Sequence, residues 1–380
     1  MRGWKALTGA ALLVLALTAC GGGGAADTGA LPGGDASSAA SGGTAAEKVY
    51  AELNGMSSGA RDAAIAGAKK EGSLTLYTSM NEDVSAAVAK AFTDQFGIKV
   101  NVFRASSETV LQRALQEGKA NQTAADAIET NFSEMEALVH EKQLADYQGP
   151  ALKDLPDIAQ FEGWNADRYN VFLPAWNTDI IKPGDEPQSW EDLADPKYKG
   201  RMQIEVGDSD WFENLTKYWL EHGKTQDEVD ALWKGIAANA AVAKGHATMI
   251  HLLAAGQTGI DGMNYTFESL LVQKEGAPVA FKGADGTTPI PAFPRPNGVS
   301  LVKAAPHPNA AWLFNDWLLS VDGQKVLVAQ DQTPVTKVPG DTSLDGVTLV
   351  PFDVKGLSEN AKEWATKYDQ LLRGVKRVKS

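Results

Sequence analysis

The sequence predicts an α/β protein of two lobes, each a mostly parallel sheet flanked by helices, connected by a two-strand hinge. Three observations predict it. Strand-like and helix-like periods alternate in the order β-α-β-α-β between residues 74 and 128, a second set of elements begins near residue 201, and extended stretches near 171–178 and 290–299 separate the sets. Two crossings between two lobes make a hinge, and open sheets of this kind place a ligand at the C-terminal ends of their strands.

The chain opens with Arg2 and Lys5 ahead of an apolar run over 10–17 that ends in Leu17-Thr-Ala-Cys20. That run is shorter than the ~20 residues a membrane-spanning helix needs, and small residues before Cys20 suit cleavage, so 1–20 is expected to be a signal peptide. Cys20 is the only cysteine, which rules out an internal disulfide. Leu17-Thr-Ala-Cys20 resembles the lipobox of bacterial lipoproteins, which implies lipidation at Cys20 and an extracytoplasmic, membrane-anchored protein. Residues 21–46 are rich in Gly, Ala and Ser and lack the large apolar side chains that offset chain entropy, so they are expected to be a flexible tether.

Roughly 330 residues then remain, enough for two domains. Loss of Arg2 and Lys5 takes the formal charge from −13 to −15. Nucleic-acid binding needs a basic stripe, so that class is excluded, and a cationic ligand is mildly favoured.

Residues 47–70 carry apolar positions at helical spacing broken by Gly55 and Gly59, which predicts two short helices. An alternating strand at 74–79 precedes a helix over 83–96, where Val84, Val88, Phe92 and Phe96 form one stripe and Gly97 supplies the C-cap. A strand over 98–103, a helix from Ser107 that Gly118 ends, and a strand over 125–128 complete the first set. In the second, strands are expected at 171–176, 201–206, 260–263 and 278–281, and helices after Trp211 to about 222, at 227–238, 248–255 and 267–274. Four prolines between 289 and 296 forbid helix and favour an extended return crossing. Two helical stretches, 310–329 and 357–373, close the chain. The expected division is lobe one over 47–172, lobe two over 173–295, and lobe one again over 296–380.

Three stretches then resemble the type-2 solute-binding proteins of ABC importers, in the branch of ferric-ion, thiamine and aminoethylphosphonate receptors. They are Leu74-Thr-Leu-Tyr-Thr-Ser79; the connector running from Ser189-Trp-Glu-Asp-Leu-Ala-Asp-Pro to Arg201; and, most specific, the run from Asn297-Gly-Val-Ser-Leu-Val through Pro306-His-Pro-Asn-Ala-Ala-Trp-Leu-Phe-Asn-Asp-Trp to Gln324. The resemblance implies the type-2 periplasmic-binding-protein fold. It also implies a monomer that captures a small charged ligand, a ferric ion or an organic ion such as a phosphonate, polyamine or thiamine, and delivers it to a permease. The alternative is a sensor or scaffold that uses the same fold without transport.

Ferric members of that family hold the ion with adjacent tyrosines, and phenolate oxygen suits Fe(III). The matching stretch here is Gly262-Met-Asn-Tyr-Thr-Phe267, with one tyrosine, Tyr265, and Thr266 where a second is expected. Tyr265 is therefore the candidate metal ligand in this stretch. No cofactor is otherwise expected.

The loops supply the other candidates. Ser79, Ser106, Ser107 and Thr109 stand at expected helix starts, where free backbone N–H groups attract anions and where Ser and Thr also serve simply as N-caps. Glu129 and Asn131 follow a buried strand and suit an ammonium group or a metal. Asp208 and Asp210 precede Trp211 at another strand-to-helix turn, and one of the two is expected to be only the N-cap. Trp176 on the first crossing suits stacking on a flat or cationic ligand, or packing in the hinge. Asn264 and Tyr265 complete the candidates, while His246 and Thr248 stand lower. No Gly-x-Ser-x-Gly elbow, His-Glu-x-x-His helix, phosphate-binding loop or zinc-spaced cysteine pair is present, so an enzyme is not expected.

Overall fold

The computed structural model describes residues 43–378. The leader, most of the 21–46 tether and Cys20 lie outside the described residues. Thr44 ends the tether by capping the first helix: its hydroxyl accepts from Glu47 N at 3.1 Å, and the Glu47 carboxylate accepts from Thr44 N at 2.6 Å.

In the first part of the chain, helices α1 (Ala45–Asn54) and α2 (Ala60–Glu71) lead to β1 (Ser73–Thr78), α3 (Glu82–Phe96), β2 (Lys99–Arg104), α4 (Ser107–Lys119), β3 (Ala127–Asn131) and α5 (Phe132–His140). Gly97 stops α3 as expected, in the left-handed region at φ 73°. Helix α4 runs one residue past Gly118. Helix α5 went unforeseen, although Phe132, Met135 and Leu138 bury at helical spacing. Strand β1 pairs in parallel with β2 from Ser73 opposite Lys99 to Thr78 opposite Arg104, and with β3 from Leu76 opposite Ala127.

The first crossing is longer than its sequence signal, a 14-residue strand β4 (Trp164–Asn177). Beyond it come β5 (Met202–Glu205), α6 (Ser209–Glu221), α7 (Gln226–Asn239), β6 (Ala240–Ala243), α8 (His246–Ala254), β7 (Ile260–Tyr265) and α9 (Thr266–Lys274). Strand β6 has only one β-branched residue among three alanines, too weak a strand signal to read in advance. The return crossing is β8 (Phe293–Val302).

Together these strands form one continuous sheet in the order β2-β1-β3-β8-β4-β7-β5-β6, with two-residue strands alongside. The crossings hold it together. Strand β8 lies antiparallel between β3 and β4, and the C-terminal half of β4 pairs antiparallel with β7, Phe172 opposite Tyr265 and Trp176 opposite Ile260. Register shifts fall between Asn297 and Gly298 on β8 and between Leu173 and Ala175 on β4, the second at Pro174, which has no N–H to give the ladder.

After β8, α10 (Pro308–Leu319) and α11 (Val321–Ala329) stand where one helix over 310–329 was expected. Ser320 breaks it in extended conformation, and Gly323 lies so close to the backbone of Trp317 and Leu318 that a Cβ would overlap it. Tryptophans anchor the core in both lobes: Trp317 packs edge-on to Phe92 at 5.4 Å, and Trp211 edge-on to Trp233 at 5.1 Å.

The last part of the segment expected over 296–380 touches both lobes, meeting α5 of lobe one as well as α6 of lobe two. Helix α12 (Val354–Leu371) lies on α6, with Tyr368 stacked on Phe212 at 5.2 Å and its hydroxyl donating to Glu205 O at 2.7 Å. The tail then adds to the edge of β6, where Val378 N donates to Val242 O at 2.9 Å.

Candidate functional site

Between the lobes lies a cleft of about 410 Å³. Lobe one contributes Glu108 from the start of α4 and Asn131, Ser133 and Glu134 from the start of α5; lobe two contributes Asp208 and Asp210, His246 and Tyr265 from the starts of α6, α8 and α9. Arg295 enters from β8, and Leu357 and Ala361 of α12 close one side. A larger hollow of about 940 Å³ beside α5 and α12 is also lined by charged groups, Glu136 and Glu141 on one side and Asp353, Lys355 and Glu359 on the other, but Arg295, Asp208 and His246 do not line it.

The lobe-two wall is built around Glu205 at the end of β5. Its carboxylate accepts from the backbone N–H of Gly207 and, at 3.0 Å, of Gly245, tying the loops before α6 and α8 together. Gly245 sits at φ 86°, a conformation that favours glycine. The two loops thus present Asp208 and His246 to each other, 2.6 Å apart between Oδ2 and Nε2.

Arg295 is the centre of the charge network. Its Nη1 donates to Asp210 Oδ2 at 3.0 Å and to Asp208 Oδ1 at 3.3 Å, and its Nη2 donates to the Tyr265 hydroxyl. The Tyr265 ring stacks on His246 with centroids 3.7 Å apart, and the guanidinium lies 5.1 Å from the Tyr265 ring and 5.2 Å from that of Phe172.

Burial opposes every charge in this group, and the partners decide the outcome. Burial acts to raise Asp208, but His246 and Arg295 outweigh it and hold the carboxyl down at about 2. Burial likewise acts against His246, but Asp208 wins and raises it. Asp210 is pushed up by burial despite Arg295. Tyr265 is pushed well above its ordinary value by burial, with Arg295 opposing. On the lobe-one wall, burial raises Glu134.

The structure brings Asp208, Asp210, Tyr265 and Asn131 into one cleft. Asp208 stands at the N-cap position of α6, yet its side chain caps nothing. Both its oxygens serve His246 and Arg295, so the expectation of a mere cap is corrected. Asn131 donates to Ser107 Oγ at 2.8 Å, which places Ser107 behind it. Ser106, not Ser107, caps α4, accepting from Thr109 N at 3.4 Å.

Four candidates are placed elsewhere. Glu129 is fully buried and paired with Arg168 at 2.5 Å, and it also accepts from the Thr78 hydroxyl and from Ser79 N and Met80 N at 3.2 Å. Its charge is consumed by the scaffold. Ser79 serves that cluster through its backbone and lies ahead of Asn81, the residue at the α3 N-cap. Asn264 points away from Tyr265 on the alternating strand, donating to Ser269 Oγ at 2.7 Å. Trp176 faces Ile260, at the opposite end of β7 from Tyr265; five residues of strand put it roughly 17 Å away. Phe172, not Trp176, is the aromatic residue of the crossing that reaches the cluster.

Arg295 is not among the residues the sequence singles out, and His246 stands low among them, yet both belong to the centre of the network. A signal existed: Arg295 is the one charged residue in Phe293-Pro-Arg-Pro-Asn297, on a crossing where charge has a burial cost unless it is paired. His246 offered only its place at the start of a helix.

Residues 106–349 match the model of the bacterial extracellular solute-binding protein family. Iron uptake protein A1 of Synechocystis sp. is 24% identical over 268 residues, covering 67% of this chain and 73% of its own. The Fe(3+)-binding periplasmic protein of Serratia marcescens is 26% identical over 274 residues, covering 67% and 75%. Among solved structures, iron-bound HitA from Pseudomonas aeruginosa superposes with a TM-score of 0.64 at 22% identity, covering 78% of this chain and 99% of its own. AfuA from Actinobacillus pleuropneumoniae, with fructose-6-phosphate bound, gives 0.64 at 21%, covering 80% and 99%. These likenesses bear out the type-2 periplasmic-binding-protein fold. The chain belongs to the bacterial extracellular solute-binding proteins.

Proposed function

We propose that this protein captures a small ligand bearing a positive centre in the interlobe cleft and delivers it to an ABC permease, held at the membrane by a lipid on Cys20 and acting as a monomer. The observation that carries the ligand class is the charge of the cleft. Glu108, Glu134, Asp208 and Asp210 line it from both lobes against one guanidinium and one imidazole. An anionic ligand would have to displace Asp208 or Asp210 from Arg295 and then meet the two glutamates of lobe one; a cationic group meets complementary charge. Residues of both lobes line the cleft, so a ligand held there favours the closed lobes by contacts that the open state lacks.

A second reading, ferric ion as the transported ligand, draws on Tyr265 beside Asp208, Asp210 and His246 and on the iron-binding names of two relatives. Against it, the Tyr265 phenol is engaged by Arg295 and burial opposes its ionisation. Among the described residues, no group of three His, Cys, Asp or Glu side chains is placed to hold a metal ion.

A thermal-shift screen of the mature protein against polyamines, thiamine and quaternary amines, with phosphonates and sugar phosphates alongside, tests the ligand class. A concentration-dependent rise with an organic cation is expected. A response only to the anions would sink that class. Ferric citrate is the separate arm: a tyrosinate-to-iron band, abolished by Tyr265→Phe, would establish the iron reading in its place.

A further inference from the structure

The aspartates, the tyrosine and the histidine of the charge network all belong to lobe two, whereas Arg295 belongs to β8, the strand that both lobes share. Its backbone is held there by Pro294 and Pro296 on either side and by pairing opposite Asn170 of β4. The side chain therefore reaches from the hinge into lobe two and fills a seat made of two carboxylates, a phenol oxygen and aromatic faces. Carboxylates and a phenol oxygen accept from a cation, and the Tyr265 and Phe172 faces lie about one cation–π contact away. In chemistry this seat is a cation receptor, and Arg295 is its resident cation.

We infer that Arg295 is a tethered occupant of the ligand's cation seat, and that the ligand's cationic group takes its place, releasing β8 from Asp208 and Asp210 as the lobes close. This rests on the ligand class proposed above and adds the group with which the ligand competes. Exchange of one cation for another leaves the two buried carboxylates paired throughout, whereas a ligand that simply displaced Arg295 without replacing its charge would strand them. The exchange also makes ligand arrival and hinge release one event, because the bond that breaks is the bond between hinge strand and lobe two.

The test uses methylguanidinium chloride as a soluble copy of the Arg295 head group, against sodium chloride at equal ionic strength. In Arg295→Ala, thermal unfolding should rise saturably by about 3 °C at a concentration of some tens of Kd. Wild type and Arg295→Lys, whose seats are filled, should not respond, and adding Asp208→Asn to the alanine variant should abolish the rise. Should Arg295→Ala fail to fold, Arg295→Gln with Asp210→Asn removes one charge of each sign and carries the same comparison through Asp208. An unresponsive seat in these variants overturns the inference, as does loss in Arg295→Ala of a phosphate or phosphonate that binds wild type, since Arg295 would then be an anion contact. If the variant takes methylguanidinium while wild type answers no organic cation in the screen, the ligand class falls and the seat stands.

Discussion

Nη1 of Arg295 lies 3.0 Å from Oδ2 of Asp210, a bond from the strand that both lobes share to the first turn of a lobe-two helix. Side-chain exposures of 16% and 18% leave both partners reachable from the cleft and largely shielded from water. That combination suits a bond meant to be exchanged: shielding strengthens it, and the opening admits a competitor. The pair of Glu129 with Arg168 is the contrast, at 0% and 8% exposure, and it has the character of a permanent strut.

Glu129→Gln should therefore lower stability and leave ligand affinity unchanged. Breaking a buried pair leaves the partner charge uncompensated, at about 3 kcal/mol. The neighbouring Asp167, which burial pushes up to about 8, ionises more readily once Glu129 is neutral and recovers part of that loss. Urea unfolding measures the stability, and titration with the screened ligand measures affinity. A large loss of affinity in a folded variant would return Glu129 to the ligand site.

Asp261, fully buried on β7, is pushed up to about 7, first by burial, with His246 opposing and Glu268 and Asp208 reinforcing. The folded chain thus keeps a proton that the unfolded chain gives up near its ordinary value, so this group's contribution to stability falls as pH rises from about 4 to about 7 and is constant above. Asp261→Asn should remove that slope. The variant should match wild type near pH 4 and exceed it at pH 8 by on the order of 4 kcal/mol, as read from denaturant unfolding at both pH values. Equal slopes would contradict the assignment.

Gly298 sits at the register shift of β8, where a Cβ would overlap the Trp164 ring. Trp164 is 1% exposed and its indole donates to Glu136 at 2.8 Å, so it has little room to yield. Gly298→Ala should cost about 2 kcal/mol and alter the closing rate, measured by stopped-flow tryptophan fluorescence. A neutral substitution would show that the hinge accommodates the methyl group.

Cys20→Ala should release the protein from the membrane fraction into the soluble fraction, since one acylated residue is the proposed anchor. Fractionation followed by immunoblot reads this directly. Retention of the variant at the membrane would place the anchor elsewhere.

What the sequence determined by itself was local and periodic. Val84, Val88, Phe92 and Phe96 specify a helix wherever it docks, Gly97 ends it, and the prolines around Arg295 forbid anything but an extended crossing. Motif stretches and the order of elements then carried the fold and the family. Only the tertiary structure decided which polar residues face the cleft. Glu129 near the end of one buried strand and Asp208 just after another look alike as sequence, yet Glu129 meets Arg168 from 39 residues away and Asp208 meets Arg295 from 87 away. A carboxylate is a strut or a receptor according to the cation that reaches it, and such a partner is set by pairing between distant strands, which no local pattern encodes. The same reason laid α12 against α6 and put Arg295, between its two prolines, at the centre of the site.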